Sequence, residues 1–328
     1  MEPLFEHRMQ FAGVDTRVLE LEGHGDPLVL FHGWSDSADT WRHVLAQLAR
    51  NDRRAIAVDL PGFGTAGAAG DGPLLPQLDA FGGEVLAYAT AEIRPARGRT
   101  RARRGAAAAA ARGAAGTAGR RSRARGRSAR SGKRAIVAGN SLGGCLALRL
   151  AQQGTVNGVE VARVVALAPA GLDMAGWFRL VEHDPVLRTL LALPVPLPGR
   201  AIQAVVGRVY GALAFAHPQG IEPGVVRAFA RHHPDRAAVA RLLASGRRLL
   251  PELKDCFELS QIDCPVQLIW GDRDRMVYAR GAERVLAEVA DAHLELLEEC
   301  GHCPQIERPE RVVELLLGDE ARAAAAAA

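Results

Sequence analysis

Short apolar runs recur along the chain, separated by longer stretches in which apolar residues return every three or four positions. Pro27–Phe31, Ala55–Asp59, Ala135–Ala138, Val161–Leu167 and Val266–Trp270 read as buried strands. Thr40–Arg50, Pro76–Ile93, Leu142–Gln152, Arg280–Val289 and Pro309–Leu317 read as helices. His293–Leu297 alternates like a further strand, and Gln10–Leu21 reads as an opening hairpin pair. Strands that alternate with helices imply crossover connections, so the pattern predicts an α/β fold with a mostly parallel, twisted sheet flanked by helices. Between Gly171 and Pro265 the strand signal stops for about 90 residues. Helical periodicity broken by prolines replaces it, at Pro185–Leu193, Ala201–Ala214, Pro223–Arg231 and Ala237–Leu250. Asp184 is placed to cap the first of these, with Pro185 at the first helical position. The change of pattern divides the chain into 1–172 with 263–320 on one side and a helical insertion, 173–262, on the other.

Charge changes this picture in one place. The chain has 328 residues, 48% of them hydrophobic, enough to bury a large core. Its net charge of +4 is unevenly spread, because residues 94–134 hold fourteen arginines and one lysine and no acid. Elsewhere 26 basic residues face 37 acidic ones, a balance of −11. The low-complexity segment 94–134 has three readings. An arm for nucleic acid or anionic membrane would use its charge, but it lacks aromatic residues for stacking and an apolar helical face. A disordered insertion fits its shortage of large apolar groups. A frame-shifted translation of GC-rich coding DNA would also give this composition, and no nucleic-acid partner is expected. The tail 321–328 is nearly pure alanine and is expected to fray.

Candidate chemistry sits where the strands end. Ala135–Ala138 runs into Gly139-Asn140-Ser141-Leu142-Gly143-Gly144, and an apolar helix follows. That is the pattern of a nucleophile elbow, in which a strained turn presents Ser141 and glycines on either side let strand and helix pack closely. The helix starting at Leu142 points free amides at any developing negative charge. A serine nucleophile needs a base, and the base an orienting carboxylate. Both are supplied downstream: Val266–Trp270 stops at Gly271-Asp272-Arg273-Asp274, and His293–Leu297 is followed by Cys300-Gly301-His302-Cys303-Pro304. The order serine, aspartate, histidine is that of an α/β-hydrolase.

With these blocks, and with Phe31-His32-Gly33-Trp34 and Asp59-Leu60-Pro61-Gly62-Phe63-Gly64 ahead of them, the chain resembles the α/β-hydrolase superfamily over nearly its whole length. The resemblance leaves out 94–134 and roughly 173–262, the latter falling where similar enzymes carry a helical cap. It implies Ser141 as nucleophile, His302 as base and Asp274 as its acid, with Asp272 a turn former. It also implies an oxyanion hole from the backbone amides of Trp34 and Leu142, with His32 shaping the oxyanion loop. His232 and His233 read as surface residues. Family members with epoxide hydrolase or haloalkane dehalogenase activity use an aspartate where this chain has Ser141.

The function so implied is a serine hydrolase that cleaves a carboxylic ester of a partly hydrophobic small molecule through an acyl-enzyme, without cofactor or metal. Trp177, Phe178, Leu191, Leu193, Val195, Val205, Tyr210 and Phe215 supply the apolar surface, most of it expected in the core and a minority in the pocket. The alternative is a carbon–carbon bond hydrolase of ring-cleavage products, similar at the elbow and at Ala168-Pro169-Ala170-Gly171-Leu172. Those enzymes carry more glycine after His-Gly, where this chain has Trp34-Ser35-Asp36. An alternative of another class is a non-catalytic binding protein on the same fold. Cys300-Gly301-His302-Cys303 also matches a dithiol redox motif, but it lies near the C-terminus with Pro304 after it, where a redox motif opens a helix early in a small βαβ unit. No second ligand pair points to zinc. No secretory signal, no run long enough to span a membrane and five cysteines without a disulfide framework point to the cytoplasm. The oligomeric state is not set by the pattern.

Overall fold

The buried apolar runs pair side by side into one sheet. The computed structural model describes residues 4–91, 132–178 and 198–318. The arginine-rich segment as far as residue 131, the helix expected at Pro185–Leu193 and the tail 321–328 lie outside them. The strands are β1 (Phe5–Phe11), β2 (Val14–Leu21), β3 (His24–Phe31), β4 (Arg53–Val58), β5 (Lys133–Asn140), β6 (Thr155–Val156), β7 (Val159–Leu167), β8 (Val266–Gly271) and β9 (Ala292–Leu297). Their order is β1-β2-β4-β3-β5-β7-β8-β9, with the short β6 paired to β7. The pairings β1–β2, β2–β4 and β6–β7 are antiparallel; those from β4 through β3, β5, β7 and β8 to β9 are parallel.

Helices cover both faces: α1 (Arg42–Arg50), α2 (Leu74–Ala89), α3 (Leu142–Ala151), α4 (Gly199–Ala214), α5 (Pro223–Arg231), α6 (Arg236–Glu252), α7 (Ala282–Glu288), α8 (Pro304–Glu307) and α9 (Pro309–Leu317). Period-two alternation in β3 sends Leu28 and Leu30 to one face, where they meet Val44, Leu45 and Leu48 of α1 and Val312 and Leu316 of α9. Val29 and Phe31 point to the other, among the apolar faces of α2 and α3. Each face is thus sealed from water, which is what a parallel sheet requires.

The parallel arrangement brings six strand ends to one rim. The loops after Phe31, Val58, Asn140, Leu167, Gly271 and Leu297 all leave from it, and ligand sites in open α/β sheets form at such a rim. Helices α4 to α6 occupy the chain between β7 and β8. Glu252 anchors them to the sheet layer: its two carboxylate oxygens accept from Leu74 N (2.7 Å) and Leu75 N (2.8 Å) at the start of α2, where free amides and the helix dipole favour an anion. Asp235 caps α6, its Oδ1 accepting from Ala238 N at 2.8 Å.

Candidate active site

Ser141 stands between the last residue of β5 and the first of α3 with φ 55° and ψ −113°. A side chain is costly in this region, and strain of this kind is stored at functional turns. The turn closes through Ser141 N to Leu167 O (2.8 Å) and Ala170 N to Ser141 O (3.0 Å). The flanking glycines follow from contact. A Cβ on Gly139 would lie 2.2 Å from the carbonyl of Gly143, and one on Gly143 would lie 2.2 Å from Phe31 O. Gly→Ala inside a helix ordinarily stabilises by about 1 kcal/mol. At Gly143 the sign reverses, because the obstacle is the backbone of β3. Gly143→Ala is expected to lose about 3 kcal/mol or more, read as a lower urea midpoint with unchanged slope.

The two sequence-predicted partners come together. His302 Nδ1 and Asp274 Oδ2 are 2.7 Å apart, with the two side chains 4% and 1% exposed. Asp274 is aimed by its other oxygen, Oδ1, which accepts from Met276 N (2.8 Å) and Val277 N (3.0 Å). Asp272 touches neither His302 nor the cavity; its Oδ1 accepts from Cys300 N at 3.3 Å, the work of a turn former. His302 Nε2 is buried with no hydrogen-bond partner, and it lines the same cavity as Ser141. Asn140, beside Ser141, ties the two segments by donating from Nδ2 to His302 O at 2.8 Å. Glu307 holds the loop from behind, accepting from Gly301 N (2.7 Å) and Ala216 N (2.9 Å). Burial raises its carboxyl above the ordinary range. Gly271 leaves room for this loop, since a Cβ there would sit 2.2 Å from Cys300 O.

The turn after β3 faces the elbow. His32 is fully buried and desolvation pushes its imidazole down to about 4, so the ring is neutral. Nε2 accepts from Leu60 N at 2.7 Å, which leaves the proton on Nδ1 to donate to Gly33 O at 2.7 Å. Asp36 N also donates to Gly33 O, at 3.2 Å. Because C=O and N–H of a trans peptide point opposite ways, holding the Gly33 carbonyl also fixes the direction of Trp34 N–H. Leu142 opens α3, so its N–H has no acceptor within the helix.

The cavity measures about 360 Å³ and is walled mainly by apolar side chains, among them Trp34, Met174, Trp177, Val205, Leu213 and Leu243. Of the aromatic and aliphatic residues singled out between 173 and 262, Trp177, Phe178, Val205 and Tyr210 line it while Phe215 is core. Leu191, Leu193 and Val195 lie outside the described residues. Among the described residues the share facing the pocket thus exceeds the expected minority, because the segment after β7 and α4 turn apolar side chains toward the sheet rim. Asp36 also lies in the wall, where desolvation pushes its carboxyl up to about 7.

The surface reading of His232 and His233 is corrected. His233 is 6% exposed, with Nε2 sharing a 2.8 Å hydrogen bond with Ser35 Oγ, and His232 is half-buried; neither is a surface residue. His233 follows α5 onto the turn after β3, a contact 198 residues apart in the chain. The cysteines of the dithiol-like motif are free and buried, each with its own neighbours. Burial pushes both thiols up, the reverse of what a redox nucleophile requires. Among the described residues no three His, Cys, Asp or Glu side chains gather as metal ligands, and no helix is long and apolar enough to cross a membrane.

The profile of the Alpha/beta hydrolase family matches residues 28–315. The chain belongs to that family. An uncharacterized protein of Mycobacterium tuberculosis is 27% identical to it over 321 residues, covering 94% of this chain and 80% of the relative. A shorter stretch of 59 residues is 36% identical to the monoacylglycerol lipase ABHD6 of Homo sapiens, 18% of each chain. The 2-hydroxy-6-oxo-6-phenylhexa-2,4-dienoate hydrolase of a Rhodococcus species superposes with a TM-score of 0.64 at 17% identity, covering 97% of this chain and 98% of that one. This last likeness establishes the shared α/β-hydrolase fold: a mostly parallel sheet flanked by helices.

Proposed function

We propose that this α/β-hydrolase family member is a serine hydrolase of carboxylic esters with a hydrophobic acyl portion, working through an acyl-enzyme. The observation that carries the reading is the buried His302–Asp274 hydrogen bond of 2.7 Å at the wall of the cavity into which the left-handed Ser141 opens. Asp274 holds the proton of His302 on Nδ1 and leaves Nε2 free to accept. Ser141 Oγ attacks the ester carbonyl as Nε2 takes its proton, the hydrogen bond between them forming around bound substrate. The oxyanion is received by Trp34 N–H and Leu142 N–H, each donor worth about 3 to 4 kcal/mol. His302 then gives its proton to the departing alcohol, and water activated by the same nitrogen releases the acid. In this reading residues 1–172 with 263–320 form the hydrolase core and 173–262 a cap whose α4 and α6 wall the acyl site.

An ester ranks ahead of a dienoic ring-cleavage product because the described lining holds no lysine or arginine to receive a carboxylate. The likeness of a short stretch to a monoacylglycerol lipase points the same way. Aryl esters of increasing acyl length, a monoacylglycerol and the phenylhexadienoate are assayed side by side. kcat/KM is expected to rise with acyl length by up to roughly fourfold per methylene, the worth of about 0.8 kcal/mol of burial, until the cavity is filled. The dienoate is expected to be turned over at least about 100-fold less efficiently than the best ester. A preference for the dienoate would establish the carbon–carbon hydrolase reading instead.

A further inference from the structure

The geometry points to Ser35 and His233 as positioning residues: the cap histidine braces the oxyanion turn, so that the hole is in register only while α5 and α6 are seated on it. The inference rests on the serine-hydrolase reading above. Gly33-Trp34-Ser35-Asp36 is a four-residue turn closed by Asp36 N to Gly33 O at 3.2 Å, with Ser35 at its third position and φ 70°. Glycine is the residue suited to that position, and any side chain there costs of order 1–3 kcal/mol. Serine offsets part of that cost with a contact glycine could not make. Its hydroxyl shares the 2.8 Å hydrogen bond with His233 Nε2, and the two residues are 5% and 6% exposed. Burial pushes the His233 imidazole down to about 4, so a neutral ring makes this bond at neutral pH. A second strut runs beside the first: the Trp34 indole donates from Nε1 to Ser245 Oγ at 3.0 Å, and Ser245 in turn donates to Leu242 O at 2.7 Å within α6.

Both struts therefore end on the two residues that follow Gly33, whose carbonyl sets the direction of the Trp34 amide. Loosening Ser35 opens the Asp36–Gly33 bond and leaves the Gly33 carbonyl to His32 Nδ1 alone, so that peptide is held less firmly. The substrate's acyl chain still meets the same apolar walls, so binding is spared while stabilisation of the tetrahedral intermediate is reduced.

Three single variants and the Ser35→Gly/His233→Phe double variant test this: Ser35→Gly deletes the hydroxyl and relieves the backbone, His233→Phe keeps ring volume, and His233→Gln can restore a donor near the Nε2 position. The readouts are kcat and KM on p-nitrophenyl butyrate, inhibition by a trifluoromethyl ketone that forms a tetrahedral adduct, and labelling by a fluorophosphonate. Ser35→Gly and His233→Phe are each expected to lower kcat roughly tenfold, part of the 10²–10³ carried by a whole donor, with KM within about twofold. Ketone affinity is expected to fall by the same factor. The double variant is expected to be no worse than either single one, and His233→Gln to recover part of the loss. Ser35→Gly cannot fail by strain, since glycine adopts φ 70° freely. If it keeps kcat and ketone affinity within twofold, or if the two losses multiply, the brace is overturned while a labelled wild type leaves the hydrolase reading standing. A folded wild type that neither labels nor binds the ketone overturns both.

Discussion

Ser141→Ala is expected to reduce ester turnover by about 10⁴ to 10⁶-fold and to abolish covalent labelling by a fluorophosphonate, with folding stability within about 1 kcal/mol of wild type. The stability figure follows from the turn. Alanine meets the same backbone cost at φ 55° as serine, and the bonds that close the elbow, Ser141 N to Leu167 O and Ala170 N to Ser141 O, use main-chain atoms only. The activity figure follows from chemistry, because no other hydroxyl stands at the start of α3 beside the Leu142 amide. A stoichiometric label on the wild type, absent from the variant, separates an enzyme from a binding protein on the same fold. A folded wild type that stays unlabelled and inert toward every ester would establish the binding protein. Residual turnover in the variant above about 1% of wild type would place the nucleophile elsewhere.

The elbow was legible in the sequence because its constraints are local. Gly139 and Gly143 lie two residues either side of Ser141, and the contacts that require them are to each other and to the adjacent strand end. Strands β3, β4, β5, β7 and β8 were legible as mainly apolar runs, with Arg163 in β7 and Gln267 in β8 among the polar interruptions, since both faces of each are largely covered. Edge strands were less so. β1 begins at Phe5 rather than near Gln10 because its residues 5–10 are partly or fully exposed on both faces, and pairing with β2 holds them without an apolar pattern. The strand ahead of Ser141 starts at Lys133, where Lys133 and Arg134 pair with Val159 and Glu160 despite their charge.

What the sequence hid is the set of contacts that join distant segments. Nothing near His233 marks it as a partner of Ser35, because the pairing depends on how α5 and α6 seat over the sheet rim. Glu307 likewise looks like a helix residue, and only the fold brings Gly301 and Ala216 to its two oxygens. A weak signal existed for Ser35, a non-glycine residue in a segment where similar proteins carry more glycine. Asn140 could have been suspected from its place beside Ser141, although its bond to His302 O is a product of the tertiary structure.

The choice between two neighbouring carboxylates gives the second large effect. Asp274→Asn is expected to lower kcat about 10⁴-fold with KM little changed, while Asp272→Asn stays within about threefold of wild type. In the asparagine variant the orientation of the amide is dictated by the backbone. Met276 N and Val277 N donate to Oδ1, so the carbonyl must stay there and the NH₂ must turn toward His302. A donor facing Nδ1 removes the proton from that nitrogen and moves it to Nε2, where the ring can no longer accept from Ser141. Flipping the amide would restore the tautomer only by setting its NH₂ against two backbone N–H groups in a buried site, at a cost of several kcal/mol. Asp272 has no such role: its Oδ1 accepts from Cys300 N at 3.3 Å, and asparagine keeps that acceptor. Steady-state kinetics on one aryl ester, with near-UV circular dichroism to verify packing, measure both variants. A loss below about tenfold at Asp274, or a larger loss at Asp272 than at Asp274 in a folded protein, would remove Asp274 from the proton-relay chain.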